Sequence, residues 1–331
     1  MRVVPRLLLA LFVLLSASAA PALAAKDSDS LSVGYSNIAG DEIPLWVAVD
    51  EGYFDAHGLS VDAQLLAGGA NTVAALLSGQ VQLAHAGGSE ALNASASGAD
   101  LVVVAMLAPV YPYVFEVTSE ITSVNDLVGK TIGVATIGGS ADVATRVVLR
   151  QNGLDPTKDV TIVATGSAQN RTAALLSGAI QGGMAGGPPD TLDLEARGLH
   201  PLFDLAALKL PAANTSVIAQ RSWVSTHRDM VQRYVDALVE ATAHLRQDKP
   251  GTVAVLKKYY KTDDDAAMAA AYDFHAGEVI APLPLPRVEQ FADAVEQLSQ
   301  SNPRIREVDL AKLIDPTFVQ DAADRGLADG G

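Results

Sequence analysis

The 331-residue chain contains no cysteine. Disulfides, thiolate metal sites, a cysteine nucleophile and a lipid-modified amino-terminal cysteine are all excluded, so stability has to come from the core alone. Positive charge is also scarce: 23 Lys and Arg stand against 38 Asp and Glu, a formal net charge of −15. A surface of that sign repels phosphate backbones and anionic lipid, so nucleic acid is not an expected partner, although net charge says little about any one pocket. The histidines, His57, His85, His200, His227, His244 and His275, show no H-x-x-x-H spacing. Neither G-x-S-x-G nor G-x-x-x-x-G-K-[ST] occurs. No metal site, serine nucleophile, phosphate cradle or cofactor is therefore expected, and no catalytic residue is assigned.

Apolar runs of membrane-spanning length are missing too, and the run nearest the amino terminus covers residues 7–15. That run follows Arg2 and Arg6 and precedes the small residues up to Ala22-Leu23-Ala24, which is the charged, apolar, small-residue order of a secretory signal peptide. It is too short for a bilayer core of roughly 30 Å, which needs about 20 apolar residues. Residues 1–24 are read as the leader, cleaved after Ala24, with the position after Ala20 as second choice. Loss of Arg2 and Arg6 moves the net charge from −15 to −17. About 307 residues remain, enough for two core-forming units.

What is present is a degenerate duplication. Ala-Leu-Leu-Ser-Gly occurs at 75–79 and again at 174–178, and the same offset of 99 relates Val33-Gly34-Tyr35 to Ile132-Gly133-Val134. Each copy reads as strand, small-residue loop, amphipathic helix, second strand, Gly-rich loop and second helix. In the first copy the strands are 31–35 and 61–66, with a helix opened by Asp41-Glu42 and Pro44 and a second closed by Gly79. In the second copy the strands are 131–135 and 160–164, with a helix over 141–151. Such alternation builds parallel sheets, and a period this long gives two similar α/β lobes rather than a solenoid. After one more apolar segment at 216–220 the chain turns helical over 228–246, 252–260, 264–279 and 287–300. The apolar stripes of these helices place Met230, Tyr234, Leu238 and Leu245 in a core. Pro282 to Pro286 reads as a rigid connector.

Three stretches carry a resemblance. They are Pro44-Leu45-Trp46-Val47-Ala48-Val49-Asp50-Glu51-Gly52-Tyr53-Phe54 with Gly58-Leu59 after it, Leu76-Leu77-Ser78-Gly79-Gln80-Val81, and Ile121-Thr122-Ser123-Val124-Asn125-Asp126-Leu127-Val128-Gly129-Lys130-Thr131-Ile132-Gly133-Val134. The first, an A-x-x-x-G-Y-F-x-x-x-G-L pattern, is the most specific. On these residues the chain resembles the periplasmic solute-binding proteins of ABC importers, in the branch with the nitrate, sulfonate and taurine receptors and the thiamine-pyrimidine-precursor binders. The resemblance implies a type 2 periplasmic-binding-protein fold: two lobes with mixed, mainly parallel sheets, joined by two crossings, plus a carboxyl-terminal helical extension. Lobe one would combine 26–112 with 216–331 and lobe two would be 113–215, with crossings near 113–117 and 214–219. It also implies a periplasmic, non-enzymatic, monomeric protein that captures a small molecule and hands it to a membrane permease. The sequence departs from the family at Gln82 and Gln181, where relatives usually carry Asp. An enzyme on the same fold, such as a pyrimidine-precursor synthase or a desulfinase, is the alternative.

In open α/β sheets, ligands bind beyond the carboxyl ends of the strands. The expected cleft wall is therefore 38–42, 68–71, 87–90, 109–113, 137–140, 166–171 and 186–190. Gly69 and Gly139 would let backbone approach a ligand, and Asn71, Ser89 and Ser140 would offer polar groups. Glu42, Glu90 and Asp190 supply carboxylates, Tyr111 and Tyr113 an aromatic pair at the first crossing, and Arg171 the candidate cation. Carboxylates with aromatics suit an amine, amidine or ring N–H, whereas Arg171 with backbone donors suits a sulfonate or carboxylate. The expected solute is small and organic, an aminosulfonate or an aminopyrimidine, with nitrate disfavoured.

Overall fold

Short apolar runs separated by small-residue loops build two five-stranded sheets in the computed structural model, which describes residues 29–329. The leader expected over residues 1–24, and its cleavage, lie outside them. The first unit runs β1 (Asp29–Tyr35), α1 (Ile43–Asp50), α2 (Tyr53–Ala56), β2 (Leu59–Leu65), α3 (Gly69–Ser78), β3 (Leu83–Ala86), α4 (Gly88–Ala96) and β4 (Leu101–Val110). The expected single helix through Tyr53 is broken at Gly52, whose φ of 77° no β-branched or bulky residue adopts without strain. The second unit runs β5 (Val114–Val117), β6 (Thr131–Val134), α5 (Ser140–Gln151), β7 (Thr161–Ala164), α6 (Ala168–Leu176), β8 (Gly182–Ala185), α7 (Asp190–Ala196) and β9 (His200–Asp204). The chain then returns to the first sheet as β10 (Pro211–Gln220).

Strand order is β2-β1-β3-β10-β4 in one sheet and β7-β6-β8-β5-β9 in the other. β1 is parallel to β2 and β3, and β6 is parallel to β7 and β8. β10 and β5 each run antiparallel between their neighbours. The two sheets thus share one pattern, the structural form of the sequence duplication. The family-departing glutamines occupy matching places in it. Gln82 Oε1 accepts from Ser32 N–H at 2.9 Å, and Gln181 Oε1 accepts from Thr131 N–H at 3.1 Å. Gln82 and Gln181 directly precede β3 and β8, at the strand ends remote from the cleft, and each satisfies a backbone donor of the neighbouring strand.

The two sheets are connected at 111–113 and at 205–210. The stretches 113–117 and 214–219, expected as crossings, are largely strand: Val114–Val117 is β5, and Thr215 to Ala219 pair within β10 against Ala108 to Val102. Their buried apolar side chains belong to the sheets, where an exposed linker would leave them in water.

The carboxyl-terminal helices are α8 (Arg221–Thr226), α9 (Arg228–Gln247), α10 (Lys249–Tyr260), α11 (Asp265–Phe274), α12 (Ala292–Leu298), α13 (Leu310–Leu313) and α14 (Thr317–Asp324). Asp248 and Asp264 cap α10 and α11 by accepting from Gly251 and Ala267 N–H at 3.0 Å each. Helix α9 buries Tyr234, Leu238 and Leu245 in the core, while Met230 is half-buried at its edge. The Pro-rich connector docks on the first sheet, where Met106 N–H donates to Pro284 O at 2.7 Å. Among the described residues no helix is long and apolar enough to cross a membrane.

Candidate ligand-binding cleft

The carboxyl ends of the two sets of parallel strands open on one cavity between the sheets. Its wall takes Ser36, Asn37, Asp41, Gly68, Gly69 and Glu90 from the first unit, Thr136, Gly139, Ser140, Arg171 and Asp190 from the second, and Pro112, Tyr113, Asn214 and Thr215 from the connecting stretches and β10. The two units touch across it: a Cβ on Gly68 would lie 3.0 Å from Gly166 O. Asn93 Nδ2 also donates to Gly138 O at 2.9 Å. The cavity measures about 70 Å³, against roughly 10–15 Å³ for one water on the same scale, so it suits a small molecule.

Three carboxyl groups face this space. Asp41 is buried in the turn before α1, where burial, with repulsion from Glu42 added, raises its pKa to about 7. Its Oδ2 accepts from the Thr215 hydroxyl, which opposes that rise, and from Asn214 Nδ2 at 3.3 Å. Glu90, in the first turn of α4, is raised to about 7 by burial, against hydrogen bonds from its own backbone N–H and from Ser140. Asp190, opening α7, is raised by burial while the Arg171 guanidinium pulls it down. Arg171 is 3 % exposed and its Nε has no hydrogen-bond partner. Burial lowers its pKa, with Tyr113 and Asp190 acting the other way. Its stem lies over Gly133 and Gly183, which face each other in register on β6 and β8. A Cβ at Gly183 would stand 3.1 Å from Arg171 Cδ. Under the 99-residue offset Arg171 matches Thr72, whose hydroxyl turns back to Leu66 O at 2.8 Å. The duplication therefore carries a cation into the cleft from one copy only.

Of the residues read from sequence, Gly69, Glu90, Tyr113, Gly139, Ser140, Arg171 and Asp190 meet at this cavity. Glu42, Asn71, Ser89 and Tyr111 do not line it. Glu42 points into the core, where its Oε2 meets His85 Nδ1 at 2.8 Å and His85 Nε2 meets the Tyr234 hydroxyl at 2.8 Å. Adjacent side chains in a tight turn diverge, so Asp41 rather than Glu42 reaches the cleft. Asn71 is spent locally, donating to Ala67 O at 2.7 Å. Ser89 is buried in the first turn of α4 away from the cavity. Tyr111 packs in the core and donates to Asp293 Oδ2 on α12 at 3.1 Å.

Sequence reasoning missed Ser36, Asn37, Thr136, Asn214 and Thr215. The first three directly follow β1 and β6, and counting one or two residues past each strand end would have found them. Asn214 and Thr215 carried no local signal, because they lie within a strand whose place beside Asp41 is set by long-range pairing.

The sequence profile of the family described as NMT1/THI5 like matches residues 40–250, more than half of the chain. The chain belongs to this family. A candidate binding protein of Bacillus subtilis, YtlA, is 25% identical over 249 residues, covering 73% of this chain and 74% of its own. Among solved structures, the periplasmic aliphatic sulphonate binding protein SsuA from Escherichia coli superposes with a TM-score of 0.69 at 22% identity, covering 87% of this chain and 92% of its own. The periplasmic nitrate-binding protein NrtA from Synechocystis PCC 6803 does so with a TM-score of 0.74 at 15% identity, covering 90% and 89%. The NMT1/THI5-like chain thus has the two-lobed periplasmic-binding-protein fold seen in solute-binding proteins of ABC importers.

Proposed function

We propose that the protein is the extracytoplasmic solute-binding component of an ABC importer. In this reading the cleft holds a small organic solute with a cationic or hydrogen-bond-donating nitrogen, an aminopyrimidine or an aminosulfonate, and delivers it to a membrane permease. One observation carries the choice of ligand: Asn37 Oδ1, Asp41 Oδ1 and Asn214 Oδ1 are buried without hydrogen-bond partners, and all three residues line the cavity. Buried acceptors left unmade cost roughly 1–3 kcal/mol each, so a ligand that brings donors is favoured there. The Asp41, Glu90 and Asp190 carboxyls against the single Arg171 guanidinium demand the same sign. An acidic end on the same solute would lie at Arg171.

In this reading the cleft binds the solute without converting it, so the solute's mass is expected to be the same before and after incubation with the protein. Calorimetry with taurine, alkyl sulfonates, nitrate and aminopyrimidines on wild type and Asp41→Asn tests the reading. A nitrogen-bearing solute binds, and the variant weakens it at least tenfold, about 1.4 kcal/mol. Nitrate as the tightest ligand, or an affinity indifferent to Asp41→Asn, would overturn the choice of solute.

A further inference from the structure

The amino terminus of α5, a helix of 12 residues, opens on the cleft at Gly139-Ser140-Ala141. First-turn N–H groups and the helix dipole favour an anion there, while the Gly138 and Gly139 N–H groups are already taken by Asp142 Oδ2 and Thr136 O. A second feature asks for the same charge from another element: the buried guanidinium of Arg171 lines the cavity with Nε unpartnered. The α5 terminus nevertheless already holds a carboxyl group, supplied from across the cleft. Glu90, carried by α4 of the first unit, takes a hydrogen bond from the Ser140 hydroxyl at 3.4 Å, and the backbone N–H of Ser140 points to it as well.

The fit is close. A Cβ added at Gly69 or at Gly139 would stand 2.6 Å from Glu90 Oε1, and one at Gly87 would collide with both Glu90 Oε2 and Ser140 Oγ. None of these glycines has positive φ, so what a side chain would meet there, from both sides of the cleft, is the Glu90 carboxyl, which would have to shift. Three glycines and a helix amino terminus thus surround the Glu90 carboxyl.

We infer that Glu90 is a tethered anion: it occupies the α5 amino terminus in place of a free anionic ligand, and so sets the specificity of the cleft by rejecting bare anions. The inference rests on the cleft being the ligand site, as proposed above. A free anion entering here has to displace Glu90 and then lie beside it, a like-charge contact in a water-poor cavity. A solute with a donating nitrogen meets no such barrier, and its positive charge holds the Glu90 carboxyl in its ionised form. Because Glu90 and α5 belong to different sheets, the contact forms only when the two lobes are together.

The test is a gain of function. Methanesulfonate, sulfate and nitrate are titrated into wild type, Glu90→Gln and Glu90→Ala by calorimetry and by thermal shift. Wild type and Glu90→Gln, whose side chain still fills the cradle, take up none of them at millimolar concentration. Glu90→Ala, with the cradle emptied and Arg171 lining the same cavity, binds methanesulfonate at least tenfold more tightly than wild type. Glu90→Ser stands in under the same criteria should the alanine variant not fold. Equal methanesulfonate affinity in wild type and Glu90→Ala would overturn the inference, as would a folded Glu90→Ala or Glu90→Ser that binds no anion. Titration of aminopyrimidines and taurine into wild type in the same series reports separately on the proposed solute. Failure of that arm with success of the anion arm removes the solute and keeps the role of Glu90.

Discussion

Single residues in this cleft are held at a cost to the ligand-free protein. Asp41 is the clearest case: burial raises it from 3.8 to about 7, so above neutral pH it is an ionised carboxylate in a site that disfavours charge. Asp41→Asn is therefore expected to raise the denaturant midpoint of the ligand-free protein at pH 8, by about 1–3 kcal/mol of stability, while weakening the solute. Urea unfolding at pH 8 with and without solute checks both signs. Sites that trade stability for binding behave this way. Arg171→Met removes a buried cation with one unpartnered nitrogen. The variant is expected to fold, and it separates the candidate solutes. A taurine-like solute loses affinity at least tenfold, whereas an aminopyrimidine without an acidic end loses less than threefold, as read by calorimetry.

At the scale of elements, the two copies of the repeat share a device and then diverge. Gln82 and Gln181 each accept a strand N–H at the end of their sheet away from the cleft. Gln181→Ala leaves the Thr131 donor without that partner and is expected to cost about 1 kcal/mol. Solute affinity stays within twofold, because the amide touches nothing in the cavity. Denaturant melts and calorimetry on the same preparation decide this. A large affinity loss would mean that these glutamines do shape the pocket. Divergence lies at the helix starts: Thr72 of the first copy folds back on its own loop, and Arg171 of the second reaches over Gly133 and Gly183 into the cleft. The pattern that makes both copies strand-loop-helix was legible in the sequence. The direction in which each helix aims its first turn was not.

At the scale of the whole molecule, pH and closure are coupled. Asp41, Glu90 and Glu116 all have folded-state pKa values raised to about 7, so the folded form holds protons that the unfolded chain gives up from about pH 4. Their contribution is complete below the unfolded values and is lost as pH rises through about 7. His275 acts in the opposite sense: burial lowers it to about 3, so its contribution is present above the unfolded value of 6.5 and lost as pH falls. The ligand-free protein is expected to be more stable at pH 6 than at pH 8, with a flatter or falling profile below pH 5. A solute cation favours the ionised form of Asp41 and Glu90, so the thermal shift it produces grows from pH 6 to pH 8. A shift independent of pH would mean that the solute does not meet these carboxyls. The contacts of Gly68 with Gly166 and of Glu90 with Ser140 join the lobes across the cleft. Since these contacts are already made here, closure on solute lowers the radius of gyration in solution scattering from an opened ligand-free form, reached by rotation about the 111–113 and 205–210 connections.

The sequence alone determined the architecture, because strand and helix periods, capping residues and the duplicated Ala-Leu-Leu-Ser-Gly are local or repeated signals. It also placed the candidate cleft at the loops after the parallel strands, since that follows from parallel topology. Tertiary structure decided which side chain of each loop faces the cavity. Asp41 and Glu42 are neighbours of the same chemistry, and only the turn between β1 and α1 sends one to the cleft and the other to His85. Tyr111 and Tyr113 likewise part on either side of Pro112, one to Asp293 and one to the cavity. The pairing of β10 with β4 brought Asn214 and Thr215 to Asp41 from 173 and 174 residues away. Contacts at such separations depend on the fold as a whole, and no window of sequence contains them.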